Sequence, residues 1–168
     1  MEKIIDKITS YHLFNYLLPG VLFVVMLDQI TTYSFVQDNL IVGAFIYYFV
    51  GLVVSRIGSL VIEPILKRVG FLKFAKYHDF VSATKKDPKI DELSETNNMY
   101  RTFVSMLFLL LAMKGYEVLS YNHPFLVMHS TGIFLLSLLL MFLLAYRKQT
   151  SYIRERVGAA NNTQGAAR

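Results

Sequence analysis

The residues of this chain that could move protons or hold metals are few and scattered. Its four histidines are His12, His78, His123 and His129. No pair of them has the i, i+4 helical spacing of a zinc hydrolase, and carboxylates do not gather around them. His78 beside Asp79 is the one tempting acid–base dyad. Neighbouring residues on a helix point about 100° apart, so this pair is expected on a surface rather than in a site. His123-Pro124 suits an external turn. His129, followed by Ser130 and Thr131, opens an apolar stretch; packing or a hydrogen bond to a neighbouring helix is its expected use, and titration as a sensor the sharper one. The chain has no cysteine, which removes disulfides, thiolate metal sites and a cysteine nucleophile. No glycine-rich phosphate loop or nucleophile elbow occurs. The expectation is therefore no enzyme, with no catalytic residue, no metal site and no cofactor.

Two charged residues call for another kind of chemistry. Arg56 stands inside the apolar run LVVSRIGSLVIEP, residues 52–64, and Asp28 follows the run LLPGVLFVVML. Charges placed there must be neutralised, solvated at an interface or used.

The elements around them are set by composition. Of 168 residues, 54% are hydrophobic and 17% charged, and the mean hydropathy is +0.42. That balance is too apolar for a water-soluble domain. A bilayer core of roughly 30 Å needs about 20 helical residues, and four segments approach this length. They run from about Leu13 to Tyr33, from Leu40 to Ile62, from Thr102 onward, and from Phe125 to Tyr146. The third is strongly apolar only to Met113 and continues through Lys114 and Glu117, three apart and able to neutralise each other. The first resembles a signal peptide, but DQITTYSF follows it in place of a small-residue cleavage site, so it is expected to stay as an anchor.

Charge then orients the chain. All 17 basic residues except Arg56 and Lys114 lie at the N-terminus, between Glu63 and Arg101, or from Arg147 onward. Lys and Arg beside spans are retained on the cytoplasmic side. The fold class is therefore an all-α integral membrane protein with four transmembrane helices and both termini cytoplasmic. A four-helix domain covers 1–150, including a cytoplasmic loop at 63–101. Residues 151–168, ending in RERVGAANNTQGAAR, read as a disordered cytoplasmic tail. The formal charge of +5 needs anionic lipid headgroups as partners and no direct nucleic acid.

Arg56 lies six residues before Ile62, roughly 9 Å along a helix. It is expected to snorkel to phosphates, or to bond the Asn15 carbonyl, which Pro19 would leave free. Gly51, Ser55, Gly58 and Ser59 form a small-residue stripe for close helix packing, either within the chain or between copies in a homo-oligomer. Between the second and third spans, apolar residues from Ile65 to Val81 are interleaved with Lys67, Arg68, Lys73 and Lys76. This predicts a basic amphipathic helix on the inner leaflet or, through Lys73, Phe74, Lys76, Tyr77 and Phe80, a docking face for a soluble protein. Asp87-Pro88 should begin a helix that runs on into the third span.

The stretches FNYLLPGVLF (14–23), RIGSLVIEPILK (56–67) and NNMYRTFVSMLFLLL (97–111), in a short four-span chain with a basic inner loop, resemble the membrane subunits of the Kiwa bacterial anti-phage defence system. The resemblance implies a non-enzymatic inner-membrane protein that assembles as a homo-oligomer, senses infection at the envelope and works with a cytosolic DNA-binding effector. It supplies no catalytic residues, and the tail GAANNTQGAAR has no counterpart in it. The competing expectation is a membrane-permeabilising effector or channel, motivated by Arg56 and Asp28.

Overall fold

The computed structural model describes residues 12–165. Lys3, Lys7 and Arg168, which enter the charge count, lie outside the described residues. Among the latter, four helices are long and apolar enough to cross a membrane, and the chain is a multi-pass membrane protein. In chain order the helices are α1 (Leu13–Ile30), α2 (Leu40–Arg68), α3 (Tyr77–Lys86), α4 (Lys89–Asn122), α5 (Pro124–Met128) and α6 (Ser130–Gly165).

Prolines shape the first two. Both α1 and α2 contain a five-residue π turn, Leu13–Leu17 and Gly58–Ile62, each ending two residues before a proline, Pro19 or Pro64. A proline has no N–H to give and crowds the preceding turn, and a wider turn relieves both demands. The register shift is visible where Leu18 N–H donates to Leu13 and Glu63 N–H to Gly58, five residues back in each case.

The spans α1 and α2 cross backbone to backbone. A Cβ on Gly20 would overlap the Tyr47 carbonyl oxygen, and one on Gly51 the Tyr16 carbonyl oxygen. Only glycine permits this approach. Helix α4 completes a three-helix junction in which Phe23, Val24 and Leu27 of α1 meet Val54 of α2 and Met106 and Leu110 of α4. A polar seam runs beside that core. Thr102 Oγ donates to Ser55 Oγ at 3.3 Å, and Ser105 Oγ donates to the Val54 carbonyl at 2.8 Å, both buried. Helix α6 stands at the side of this trio, touching α2 through Phe49 stacked on Phe142 at 6.2 Å.

Caps fix the ends. Asn39 Oδ1 accepts from Ile41 and Val42 N–H at 3.0 and 3.1 Å to open α2. Asp87 Oδ1 accepts from Lys89 N–H at 3.0 Å to open α4, which continues unbroken for 34 residues as the sequence predicts. Where α2 ends, Gly70 adopts a φ of 76°. Its N–H donates to Lys67, while Phe71 N–H donates to Leu66, a Schellman closure that needs a left-handed residue.

That closure corrects one expectation. The segment after Pro64 is no single amphipathic helix, because Gly70 ends α2 and residues 71–76 are irregular before α3. The first span stops at Ile30, three residues before Tyr33, where Thr31 turns extended. The fourth begins at Ser130, since the short α5 occupies Pro124–Met128, held by Tyr116 Oη donating to the Leu126 carbonyl at 3.1 Å. Of the segment expected as a disordered tail, 151–165 lie in α6, which runs to Gly165, and 166–168 lie outside the described residues. Extending a helix already nucleated by a span is far easier than starting one, and Arg154, Glu155, Arg156 and Ala159 are helix-compatible residues.

Candidate functional site

Where α2, α4 and α6 meet at the basic end of the bundle, one carboxylate organises several cations. Glu63, 7% exposed, sits at the start of the last two turns of α2. Its Oε1 accepts from Lys67 Nζ at 2.8 Å, one turn along the same helix, and its Oε2 from Arg101 Nη1 at 2.8 Å on α4. From α6, Lys148 Nζ donates to the Ser59 carbonyl at 2.6 Å and to Ser59 Oγ at 2.7 Å.

The backbone explains that last bond. In the π register of Gly58–Ile62 the donor opposite the Ser59 carbonyl is position 64, and Pro64 has none. Lys148 supplies it from the neighbouring helix. Helix α3 joins through Tyr77, stacked on Tyr152 of α6 at 6.3 Å and 17°. Lys148 Nζ lies 5.7 Å from the Tyr152 ring. Three long helices and the short helix α3 are thus tied to one patch of side chains.

The stripe Gly51, Ser55, Gly58 and Ser59 is used within the chain. Gly51 meets α1, Ser55 and Gly58 meet Thr102, Ser105 and Arg101 of α4, and Ser59 holds Lys148. All four are buried against neighbouring helices of the same chain.

Arg56 is placed differently from one expectation. No hydrogen bond joins it to Asn15. Gly51 abuts Tyr16, so Arg56 lies five residues, about 7 Å, beyond that level. The π register also moves the carbonyl facing Pro19 from Asn15 to Phe14. Arg56 instead lines a narrow cleft with Ser59, Leu60, Ala145, Lys148, Gln149 and Tyr152. Asp28 is exposed near the far end of α1, a separate location, and the six apolar side chains of the three-helix junction fill the space between the spans of one chain.

Of the expected docking residues, Lys73, Phe74 and Lys76 are exposed, whereas Tyr77 and Phe80 are partly covered. Lys67 Nζ rests 4.0 Å over the Phe74 ring, a cation–π contact that orders the irregular segment. Phe71 is 76% exposed. His78 and Asp79 are exposed with 3.8 Å between Nδ1 and Oδ1, as surface residues would be.

The opposite end carries a smaller clamp. Lys114 Nζ meets Glu117 Oε2 at 2.7 Å, as their spacing predicts, and Glu117 Oε1 accepts from Thr32 N–H at 2.6 Å beyond the end of α1. The Glu63–Arg101 pair was not read from the sequence. Its only trace there is an acid standing alone between an apolar span and a strongly basic loop.

Comparison with protein-family models, with curated proteins and with solved structures finds no match to this chain. Chemically, the patch sets the Ser59 hydroxyl 2.7 Å from the Lys148 ammonium, which donates to it. It offers fixed positive charge and mechanical connection.

Proposed function

We propose that this chain is a non-enzymatic inner-membrane sensor and scaffold subunit of an anti-phage defence complex, one that assembles as a homo-oligomer and recruits a cytosolic DNA-binding effector. Its basic end faces the cytoplasm, following the distribution of Lys and Arg. The sequence resemblance to Kiwa membrane subunits supplies the biological setting.

The observation that carries the physical part is the link from spans to loop. Glu63 joins α2 to α4 through Arg101, and Lys67, which holds the other oxygen of Glu63, also lies over Phe74. A shift of α2 against α4 in the membrane would therefore move the aromatic segment that a partner would touch. Phe71, Lys73, Phe74 and Lys76 stand exposed beside the bundle, an aromatic and basic set suited to anchoring a soluble protein.

The test is protection of host cells against phage with Phe71 and Phe74 both replaced by alanine, at matched expression. Loss of protection is expected. Protection equal to wild type would remove these residues as the recruiting surface.

A further inference from the structure

The basic end of the bundle holds more positive charge than it neutralises. Around Lys148 stand Arg56, Lys67, Arg101 and the carboxylate Glu63, both of whose oxygens are taken by Lys67 and Arg101, while Glu155 lies further along α6 beside Tyr152. Lys148 itself rests on neutral acceptors of Ser59. Arg56, half-buried, forms no hydrogen bond or ion pair with another described residue. Five guanidinium donors beside an apolar helix call for an acceptor.

Beside this cluster a groove of about 810 Å³ opens along α6. Leu60 and Leu144 form its apolar end, and Arg147, Lys148 and Arg154 its polar end. Leu144 precedes Arg154 by ten residues, about 15 Å of helix, so the wall passes from hydrocarbon depth to headgroup depth. The cleft containing Arg56 and Lys148 adjoins it, sharing Leu60 and Lys148.

We infer that this groove binds one anionic glycerophospholipid, its phosphate held between Arg56 and Lys148 and an acyl chain lying along Leu60 and Leu144. Charge complementarity selects the occupant, because the nearest carboxylate is already paired and the lining has no anionic group for the cation of a zwitterionic headgroup. The apolar wall distinguishes a lipid from free phosphate. This site is independent of the proposed defence role.

The full-length protein, purified and delipidated in detergent, is titrated by native mass spectrometry with phosphatidylglycerol, phosphatidylcholine and inorganic phosphate. Phosphatidylglycerol should bind about tenfold more tightly than phosphatidylcholine, and Arg56→Gln should abolish most of that preference. Inorganic phosphate should not displace the lipid. If Arg56→Gln does not fold, Lys148→Gln, which removes the other cation assigned to the phosphate and keeps an N–H for the Ser59 carbonyl, decides in the same way. Equal binding of the two lipids, an unchanged preference in the folded variants, or displacement by inorganic phosphate would overturn the assignment.

Discussion

Lys148 Nζ lies 2.6 Å from the carbonyl oxygen of Ser59, which the π turn of α2 and Pro64 together leave without a helical donor. The bond satisfies a backbone group that lipid would otherwise leave bare, at a cost of several kcal/mol. It also ties α6 to a bundle whose apolar core α6 does not enter.

Lys148→Met should therefore loosen α6. A charge-assisted bond of this type contributes about 1.5–3 kcal/mol. Pro64→Ala supplies an N–H for the same carbonyl, so in that background Lys148→Met should cost much less. Thermal unfolding of the two single variants and the double variant in detergent gives the coupling energy. Additive losses would mean that the two residues do not share the carbonyl.

The glycines should divide sharply. Gly20→Ala and Gly51→Ala drive a methyl into the backbone of the opposite helix, and neither main chain can retreat without moving a span. Each should cost about 3 kcal/mol or more. A Cβ on Gly115 or Gly132 meets nothing within 4 Å, so Ala there should be neutral or stabilising by up to about 1 kcal/mol. Melting temperatures of the four variants decide this.

Glu63→Gln should destabilise the basic end by about 3 kcal/mol, since Arg101 and Lys67 lose their shared anion in a largely covered site. Lys114→Gln at the other end, where the lysine is 52% exposed, should cost less than about 1 kcal/mol. The larger loss should also persist in high salt, because covered pairs are poorly screened. Unfolding measured at low and high ionic strength checks both the ranking and the salt response.

In the segment after α2, Phe71→Ala should leave stability unchanged within about 0.5 kcal/mol, as an exposed side chain away from the packed elements. Tyr77→Ala should be the damaging change, because it removes the ring stacked on Tyr152, an aromatic contact worth about 0.5–1.5 kcal/mol beyond its area. Limited proteolysis between Gly70 and Tyr77 reads the difference directly, with faster cleavage expected in Tyr77→Ala.

The four spans were legible because a 20-residue apolar run is a strong signal, and α4 was legible because Asp87 and Pro88 announce its start. Gly51 was recognisable as a packing residue. Its partner was not, since residue spacing says where a helix is thin and not which helix fills the gap. The end of α2 at Gly70 was overlooked although a lone glycine after Lys67 and Arg68 is a stop signal; the interleaved apolar and basic residues beyond it masked the break. The depth of Arg56 relative to Asn15 was not legible, because it follows from where α1 and α2 cross, Tyr16 against Gly51, a tertiary contact that residue spacing does not give. Glu63 escaped notice because its significance lies in Arg101 and Lys148, 38 and 85 residues away in sequence.

The central proposal, that the spans carry an exposed cytoplasmic surface for a soluble effector, is tested most directly by weighing the complex. The tagged chain is captured from its native host in mild detergent, and the intact mass is measured for wild type and for the variant with both Phe71→Ala and Phe74→Ala. A soluble protein in fixed ratio to the chain, lost in the variant while the membrane assembly persists, is the expected result. A wild-type mass that contains copies of this chain alone would contradict the scaffold reading and direct attention to conductance across Arg56 variants.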